Sequence, residues 1–270
     1  MCLSKYNELI NTLRSNGAVV SYCITCRNRL WQLKETLGEN LHSLENDSQC
    51  VLVDYGSTDG LSKWVWKNFN EPIASGKLIF FEVSNEVSWN LSRAKNLSHR
   101  VANGDFLMNL DADNYMLKKD IQLINEAAEQ KLPIHQWSGV FGDGSHGRIG
   151  LPRNMFFKIG GYDEYMLPMG AQDSDLIRRI EALNIKILRG QGPAQKAVQN
   201  RMMDKIQETT HKKQILPKRA YDKMNDINKK LSEARLALDG PIRKDGFMTY
   251  TGKLNGQSVK IDGLNQLSKL

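Results

Sequence analysis

Two carboxylates one residue apart, Asp111 and Asp113, follow the largely apolar run Phe106-Leu107-Met108-Asn109-Leu110. In extended backbone, residues two apart point to the same side, so both can converge on one cation. Hard oxygen ligands at a strand end suit Mg²⁺ or Mn²⁺ carrying a diphosphate, with the remaining positions left to phosphate and water. Taken alone, Asp111-Ala112-Asp113-Asn114 reads first as a polar turn closing a strand, because so short a pattern recurs by chance. A second candidate, Cys23-Ile24-Thr25-Cys26, has redox spacing. No second cysteine pair follows to complete a zinc site, and small buried residues at a strand end are its simpler reading.

The elements that must hold the carboxylates follow from periodicity. Tyr6, Leu9, Ile10 and Leu13 predict a helix that Asn16-Gly17 ends. Strands are predicted over Ala18 to Thr25, Cys50 to Asp54, Leu78 to Val83 and Phe106 to Leu110. Helices alternate with them: the Leu30, Leu33, Leu37, Leu41, Leu44 stripe, a helix from Leu61, and Leu91 to Ala102. That alternation predicts an α/β fold, a mostly parallel sheet with helices on its faces. Ligands of such sheets bind beyond the carboxyl ends of the strands, where Arg27, Arg29, Asp54, Asp111 and Asp113 all fall. Further on come helices over Lys118 to Gln130 and Ser174 to Leu183, with a glycine-rich segment before Gly150 between them. A long helix after Pro217 has Tyr221, Met224, Ile227, Leu231, Ala234 and Leu238 as its apolar stripe. Asn255-Gly256 closes a terminal β-hairpin.

With 270 residues the chain can bury a substantial core, and 40% hydrophobic with 25% charged residues is ordinary for a globular protein. No apolar run approaches a membrane span, and the start lacks the apolar centre of a secretory signal. Four cysteines make no disulfide framework, so reduced thiols in a cytoplasmic setting are expected. The net charge of +7 is concentrated between Lys205 and Lys244. Such an excess fits an anionic partner, nucleic acid included, but Asp222, Asp226 and Glu233 interleave with the lysines and favour a solvated helix face.

In chain order these segments resemble a GT-A glycosyltransferase, close to family 2 and to the β-1,4-galactosyltransferases, over roughly Val19 to Ile187. The carriers are Ile24-Thr25-Cys26-Arg27-Asn28-Arg29, Val53-Asp54-Tyr55-Gly56-Ser57-Thr58-Asp59, Arg93-Ala94-Lys95-Asn96, Asp111-Ala112-Asp113, and Gly160-Gly161-Tyr162-Asp163-Glu164 with Gln172-Asp173-Ser174-Asp175-Leu176. The resemblance implies a sugar-nucleotide site at Thr25, Arg27, Arg29, Asp54, Arg93, Lys95 and Asp111. It implies a metal, Mn²⁺ or Mg²⁺, on Asp111 and Asp113, with His211 as a third ligand by analogy with the galactosyltransferases. Asp173 stands in the place of the catalytic base. Gln172 and Met169 stand in the places of a glutamate and of an acceptor-lining tryptophan, so the acceptor is not inherited. Tyr55 replaces the second Asp of its signature, which loosens the base preference.

The chemistry also follows from the residues. A leaving diphosphate needs neutralising by a divalent ion and nearby Arg or Lys. An acceptor hydroxyl needs a carboxylate to take its proton, and Asp173, just before a helix, is the candidate. One base without a protein nucleophile implies a single displacement with inversion. Asp175 and Arg178 then hold the base and its helix in place. Trp89 and Trp137 read first as core residues, with stacking on base or sugar the lesser alternative. His42 and His99 fall within helices and are expected to pack or face solvent.

The expected organisation is an N-terminal helix (1–17), a nucleotide-sugar half (18–115), an acceptor and catalytic half (116–215), and a basic helical extension with a hairpin (216–270). The expected function is an inverting, metal-dependent glycosyltransferase moving a sugar from a UDP-sugar to an acceptor hydroxyl. The acceptor is a glycan, a lipid-linked or another anionic acceptor, which the basic extension would help to hold. A non-catalytic sugar-nucleotide or glycan-binding module, a nucleic-acid-modifying glycosyltransferase and a sugar nucleotidyltransferase remain as alternatives. The last normally needs a glycine-bearing first loop, which Ile24 to Arg29 lacks.

Overall fold

The computed structural model describes residues 20–45, 47–84, 88–190, 192–206, 208–209 and 217–263. The expected helix over 1–17 and the candidate ligand His211 lie outside them. The first half alternates as the sequence predicts: β1 Val20–Cys26, α1 Leu30–Ser43, β2 Ser48–Asp54, α2 Leu61–Asn68, α3 Asn70–Ala74, β3 Leu78–Val83, α4 Leu91–Val101 and β4 Phe106–Asn109. Then follow α5 Lys118–Glu129, β5 Ile134–His135, β6 Ile149–Pro152, α6 Arg153–Lys158, α7 Gln172–Ala182 and β7 Leu188–Arg189. The chain continues through α8 Met202–Ile206, α9 Pro217–Asp239, β8 Tyr250–Leu254 and β9 Gln257–Ile261.

The strands form one sheet in the order β7-β5-β6-β4-β1-β2-β3-β8-β9. Its centre, β4-β1-β2-β3, is parallel. β1 to β3 run outward to one side, and the chain then crosses back to lay β4 on the other side of β1. The order therefore reverses between β1 and β4, the crevice where such sheets bind ligands.

Residues of the central strands alternate between two buried faces, so neither face meets water. Val51, Val53, Ile79 and Phe81 pack on one side with Leu97 and Val101 of α4 and Leu176 and Ile180 of α7. Cys50, Leu52, Leu78 and Phe80 pack on the other with Leu33 and Leu37 of α1 and Ile121 and Ile124 of α5. Cys23 belongs to the first layer and Cys26 to the second, so their sulfurs lie on opposite faces of the sheet and form no redox pair. Burial pushes both thiols up.

The terminal hairpin is an edge of this same sheet. β8 pairs antiparallel with β3, with Phe81 opposite Leu254. Helix α9 departs from the expected stripe: Ile227 and Leu238 are exposed, and Asn228 and Ser232 are buried in their place. The helix docks through polar contacts. Asn228 Nδ2 donates to Gly170 O at 2.8 Å, Ser232 Oγ to Asp175 Oδ1 at 2.7 Å, and Arg235 Nη1 to Asp163 Oδ1 at 2.8 Å. The cause is the acidic surface that the core offers at Asp163 and Asp175, whose buried carboxylates need donors. Of the expected stripe, Tyr221, Met224 and Leu231 are half-buried.

Candidate active site

Strand β4 ends where Asn109 turns its amide inward. Its Nδ2 donates to Asp111 Oδ1 at 3.0 Å and to Gly147 O at 2.8 Å, tying the end of the strand to the loop before β6. Lys95, fully buried on α4, reaches the same point. Its Nζ lies 2.7 Å from Asp173 Oδ1 and 3.4 Å from Asp111 Oδ1. Burial alone would depress the ammonium, but Asp111 and Asp173 outweigh it and hold Lys95 charged above its ordinary value. Gly147 closes the cluster. A Cβ there would stand 2.7 Å from Asp111 Oδ2 and 3.3 Å from Asp173 Oδ2, so only a hydrogen leaves the two carboxylates their common space.

Asp113 lies beside Asp111. Burial first, and the neighbouring Asp111 second, push its carboxyl above the ordinary range. Its Oδ1 accepts from Asn114 Nδ2 at 2.7 Å, and its Oδ2 accepts from Asn200. Both partners are neutral amides, and Arg29 is the cation that acts on Asp113, less strongly than burial and Asp111 together. That oxygen donor set fits a divalent cation such as Mn²⁺ or Mg²⁺. Among the described residues no third His, Cys, Asp or Glu joins them.

The loops after β1 and β2 form the other wall. Asn28, at φ 53°, accepts through Oδ1 from Thr58 N at 2.7 Å, and Ser57 N donates to Asp54 Oδ1 at 2.8 Å. Asp54 is buried, which raises its carboxyl pKa. Thr25 is buried at the end of β1. Arg27 Nε reaches Glu208 Oε2 at 3.0 Å, and Arg29 Nη1 reaches Asn200 Oδ1 at 2.6 Å. Asn200, Asp204 and Glu208 thus reach the two arginines, and Asn200 also reaches Asp113. Arg93, in the first turn of α4, keeps a buried Nε without a hydrogen-bond partner, an unused donor near Tyr55.

Tyr55 has a structural reason. Its hydroxyl is 2.8 Å from that of Tyr250, so the residue in place of the second Asp joins the loop after β2 to the terminal hairpin. Trp89 packs edge-on against Tyr55 and its Nε1 lies 3.2 Å from Met169 Sδ. Gln172 is buried and donates to Leu167 O at 2.8 Å, so its amide shapes the loop before α7. Asp175 is fully buried between Arg179 and Ser232. The paired glycines of the Gly-Gly-Tyr-Asp-Glu block meet the extension directly. Gly160, at φ +77°, lies where a Cβ would be 2.2 Å from Arg243 O. Arg243 in turn donates through Nε to Asp163 Oδ2 at 2.8 Å.

Asp111, Asp113, Asp173 and Lys95 therefore share one cluster, with Arg27, Arg29 and Asp54 on the neighbouring loops after β1 and β2. Sequence reading passed over Asn109, Asn200 and His146. Asn109 carries a visible signal, a polar side chain inside an otherwise apolar strand. Asn200 carries none, because a segment without periodicity does not say where it folds back.

Fold and site together define a GT-A glycosyltransferase. The family model "Glycosyl transferase family 2" matches residues 21–181. The chain belongs to glycosyl transferase family 2. No curated protein matched the sequence. Among solved structures, S. aureus TarS 1–349 in complex with UDP-GlcNAc is similar at a TM-score of 0.55 and 17% identity, over 68% of this chain and 59% of that one. This chain therefore spans well under two thirds of that TarS fragment. The mannosyltransferase PcManGT from Pyrobaculum calidifontis, in complex with GDP-Man and Mn²⁺, gives 0.56 and 18% over 88% and 78%. Mannosyl-3-phosphoglycerate synthase from Rubrobacter xylanophilus gives 0.56 and 15% over 97% and 96%. At such identities the likeness is one of fold. The further resemblance to β-1,4-galactosyltransferases rests on sequence motifs alone. No described helix is long and apolar enough to cross a membrane.

Proposed function

We propose that this protein transfers a sugar from a UDP-sugar to an acceptor hydroxyl in a single displacement that inverts the anomeric carbon. The observation that carries the reading is Lys95, whose ammonium binds Asp173 and Asp111 at once. It puts a proton acceptor within one side chain's reach of the carboxylates suited to a metal diphosphate. Asp111 and Asp113 would hold the divalent ion, which neutralises the leaving diphosphate when bound. Arg27, Arg29 and the free Nε of Arg93 line the nucleotide side, with Thr25 and Asp54 at the strand ends.

Lys95 holds Oδ1 of Asp173, leaving Oδ2 turned towards Gly147. The acceptor oxygen attacks the anomeric carbon, its proton passes to Asp173 Oδ2, and the bond to the diphosphate breaks with its electron pair. Gln172 acts by shaping the acceptor loop through Leu167, beside Met169. Buried, unpaired Cys23, Cys26 and Cys50 support a reducing, cytoplasmic setting.

The test combines a donor panel with one substitution. Wild-type protein with Mn²⁺ should slowly hydrolyse one UDP-sugar in preference to GDP-sugars. Asp173→Asn should bind that donor with unchanged affinity and lose transfer by about 10² to 10⁴-fold. Near-normal transfer by this variant would remove Asp173 as the base. Wild-type protein that binds the donor but neither hydrolyses it nor transfers its sugar to any acceptor would make the chain a binding module.

A further inference from the structure

The loop between β5 and β6 ends at the catalytic cluster and begins in a group of rings. Trp137 and Phe141 lie 4.9 Å apart, Phe141 and His146 5.1 Å, and Trp137 and His146 5.0 Å, by ring centroids. His135 stacks beneath Trp137 at 5.6 Å and 18°. Phe141 is 74% exposed and its neighbour Val140 61%. Exposed apolar side chains set side by side are uncommon unless something covers them. The next residue after His146 is Gly147, which touches Asp111 and Asp173.

This loop is built to hold its rings in place. Asp143 Oδ1 accepts from Ser145 N at 2.8 Å and from Ser145 Oγ at 2.7 Å, and its Oδ2 accepts from Ser138. Trp137 Nε1 donates to Val140 O at 3.2 Å, and Ser138 N to Ser145 Oγ at 3.1 Å. Segment 192–197 braces it from outside, Gly192 lying against Ser138 and Ala197 against Gly144. A surface fixed in advance loses little entropy when a ligand docks. The occupant follows from shape and charge. A pyranose presents one face of C–H bonds that suits an aromatic plane and hydroxyls at its rim that suit imidazole nitrogens. Asp143 is bonded to Ser138 and Ser145 within the loop, and Arg189, which reaches His135, is paired with Glu181, so the local charge favours a neutral acceptor over a phosphate-bearing one.

We propose that Trp137, Phe141 and His146 form the acceptor subsite, a stacking platform for the pyranose ring of a neutral carbohydrate whose hydroxyl is delivered to Asp173. The platform rests on the transferase reading above and deepens it by naming the acceptor class.

Saturation-transfer NMR on the full chain with UDP and Mg²⁺ tests it, using cellobiose, chitobiose and lactose, with ribitol 5-phosphate as an acyclic anionic probe. At least one disaccharide should bind through the protons of one ring face. Phe141→Ala should weaken it roughly tenfold, as loss of an aromatic stacking partner implies. Phe141→Tyr should retain binding. The high exposure of Phe141 keeps each variant folded. No disaccharide bound, equal binding by wild type and Phe141→Ala, or binding of ribitol 5-phosphate alone would overturn the platform. UDP affinity, measured in the same samples, separates the two readings. Disaccharide bound through Phe141 without UDP binding would sink the transferase and keep the platform, and the reverse would sink the platform only.

Discussion

At the scale of single residues, the site is governed by how few positive charges serve many negative ones. Lys95 neutralises Asp111 and Asp173, while Asp113 has Asn114 and Asn200 as its direct partners and a raised pKa that follows from its burial and from Asp111. A bound cation would relieve that crowding, so metal and diphosphate binding should be coupled through Asp113. Asp113→Ala should abolish Mn²⁺-dependent UDP binding, measured by calorimetry, while the protein remains folded and its melting temperature in the absence of metal holds or rises. That follows because burial and the neighbouring Asp111 outweigh the favourable charge of Arg29 on this carboxylate in the metal-free state, so its removal relieves more than it costs. Undiminished metal-dependent UDP affinity in this variant would show that the ion sits elsewhere.

At the scale of elements, the strands and helices of the first half were legible because their signals are local. Leu78–Val83 and Pro217–Asp239 begin and end where apolar periodicity, proline and glycine say they must. The closeness of Asp111 and Asp113 was legible, but not its cause: β4 stops at Asn109, and a turn in which Asn114 N donates to Asp111 O at 2.9 Å, not extended backbone, sets the pair. Hidden from the sequence was the direction in which α9 docks. Its apolar stripe suggested a hydrophobic face, yet Asn228, Ser232 and Arg235 make the contact because their partners, more than fifty residues away, are the carbonyl of Gly170 and the buried acids Asp175 and Asp163. The placing of the hairpin was equally hidden, because strand pairing across the chain is not written in either strand. Two arginines of the basic stretch, Arg235 and Arg243, consequently serve as counter-ions of Asp163 inside the fold. Arg243→Ala should leave Asp163 and Asp175 short of buried charge and lower stability by about 3–5 kcal/mol, read from denaturant midpoints. Loss of under 1 kcal/mol would mean that Arg235 alone satisfies Asp163 and that the extension is held by its half-buried apolar residues.

At the scale of the whole molecule, α4 joins chemistry to stability. It carries Lys95 into the site, Asn96 to Tyr162 O, His99 to the core and Arg100 to the carbonyl of Met248 beside the hairpin. Polar residues on every side of this helix are buried, so an amphipathic reading of it could not succeed. His99 is the titrating member. Burial pushes it down to about 3, with Lys95 and Arg153 also opposing its charge and only a hydrogen bond to Lys95 O raising it. In the unfolded chain it titrates near the ordinary value of about 6.5. Between those values the unfolded chain binds a proton that the folded protein refuses, so stability falls as pH drops below about 6.5, by up to about 1.4 kcal/mol per pH unit. Asp54 and Glu164 act in the opposite sense, because burial raises their folded pKa values and acid relieves them. A bare pH profile therefore mixes the two signs, and a substitution is needed to separate them. His99→Phe keeps a ring to stack on Phe156, which lies 4.5 Å from the imidazole, and removes the titration. The variant loses the bond to Lys95 O and should start less stable at pH 7. From pH 7 to pH 5 the wild type should then lose about 2 kcal/mol relative to it, so the two stability curves converge. Parallel curves over that range would mean that His99 takes up its proton in the folded state, through an opening of α4 that should also loosen Lys95.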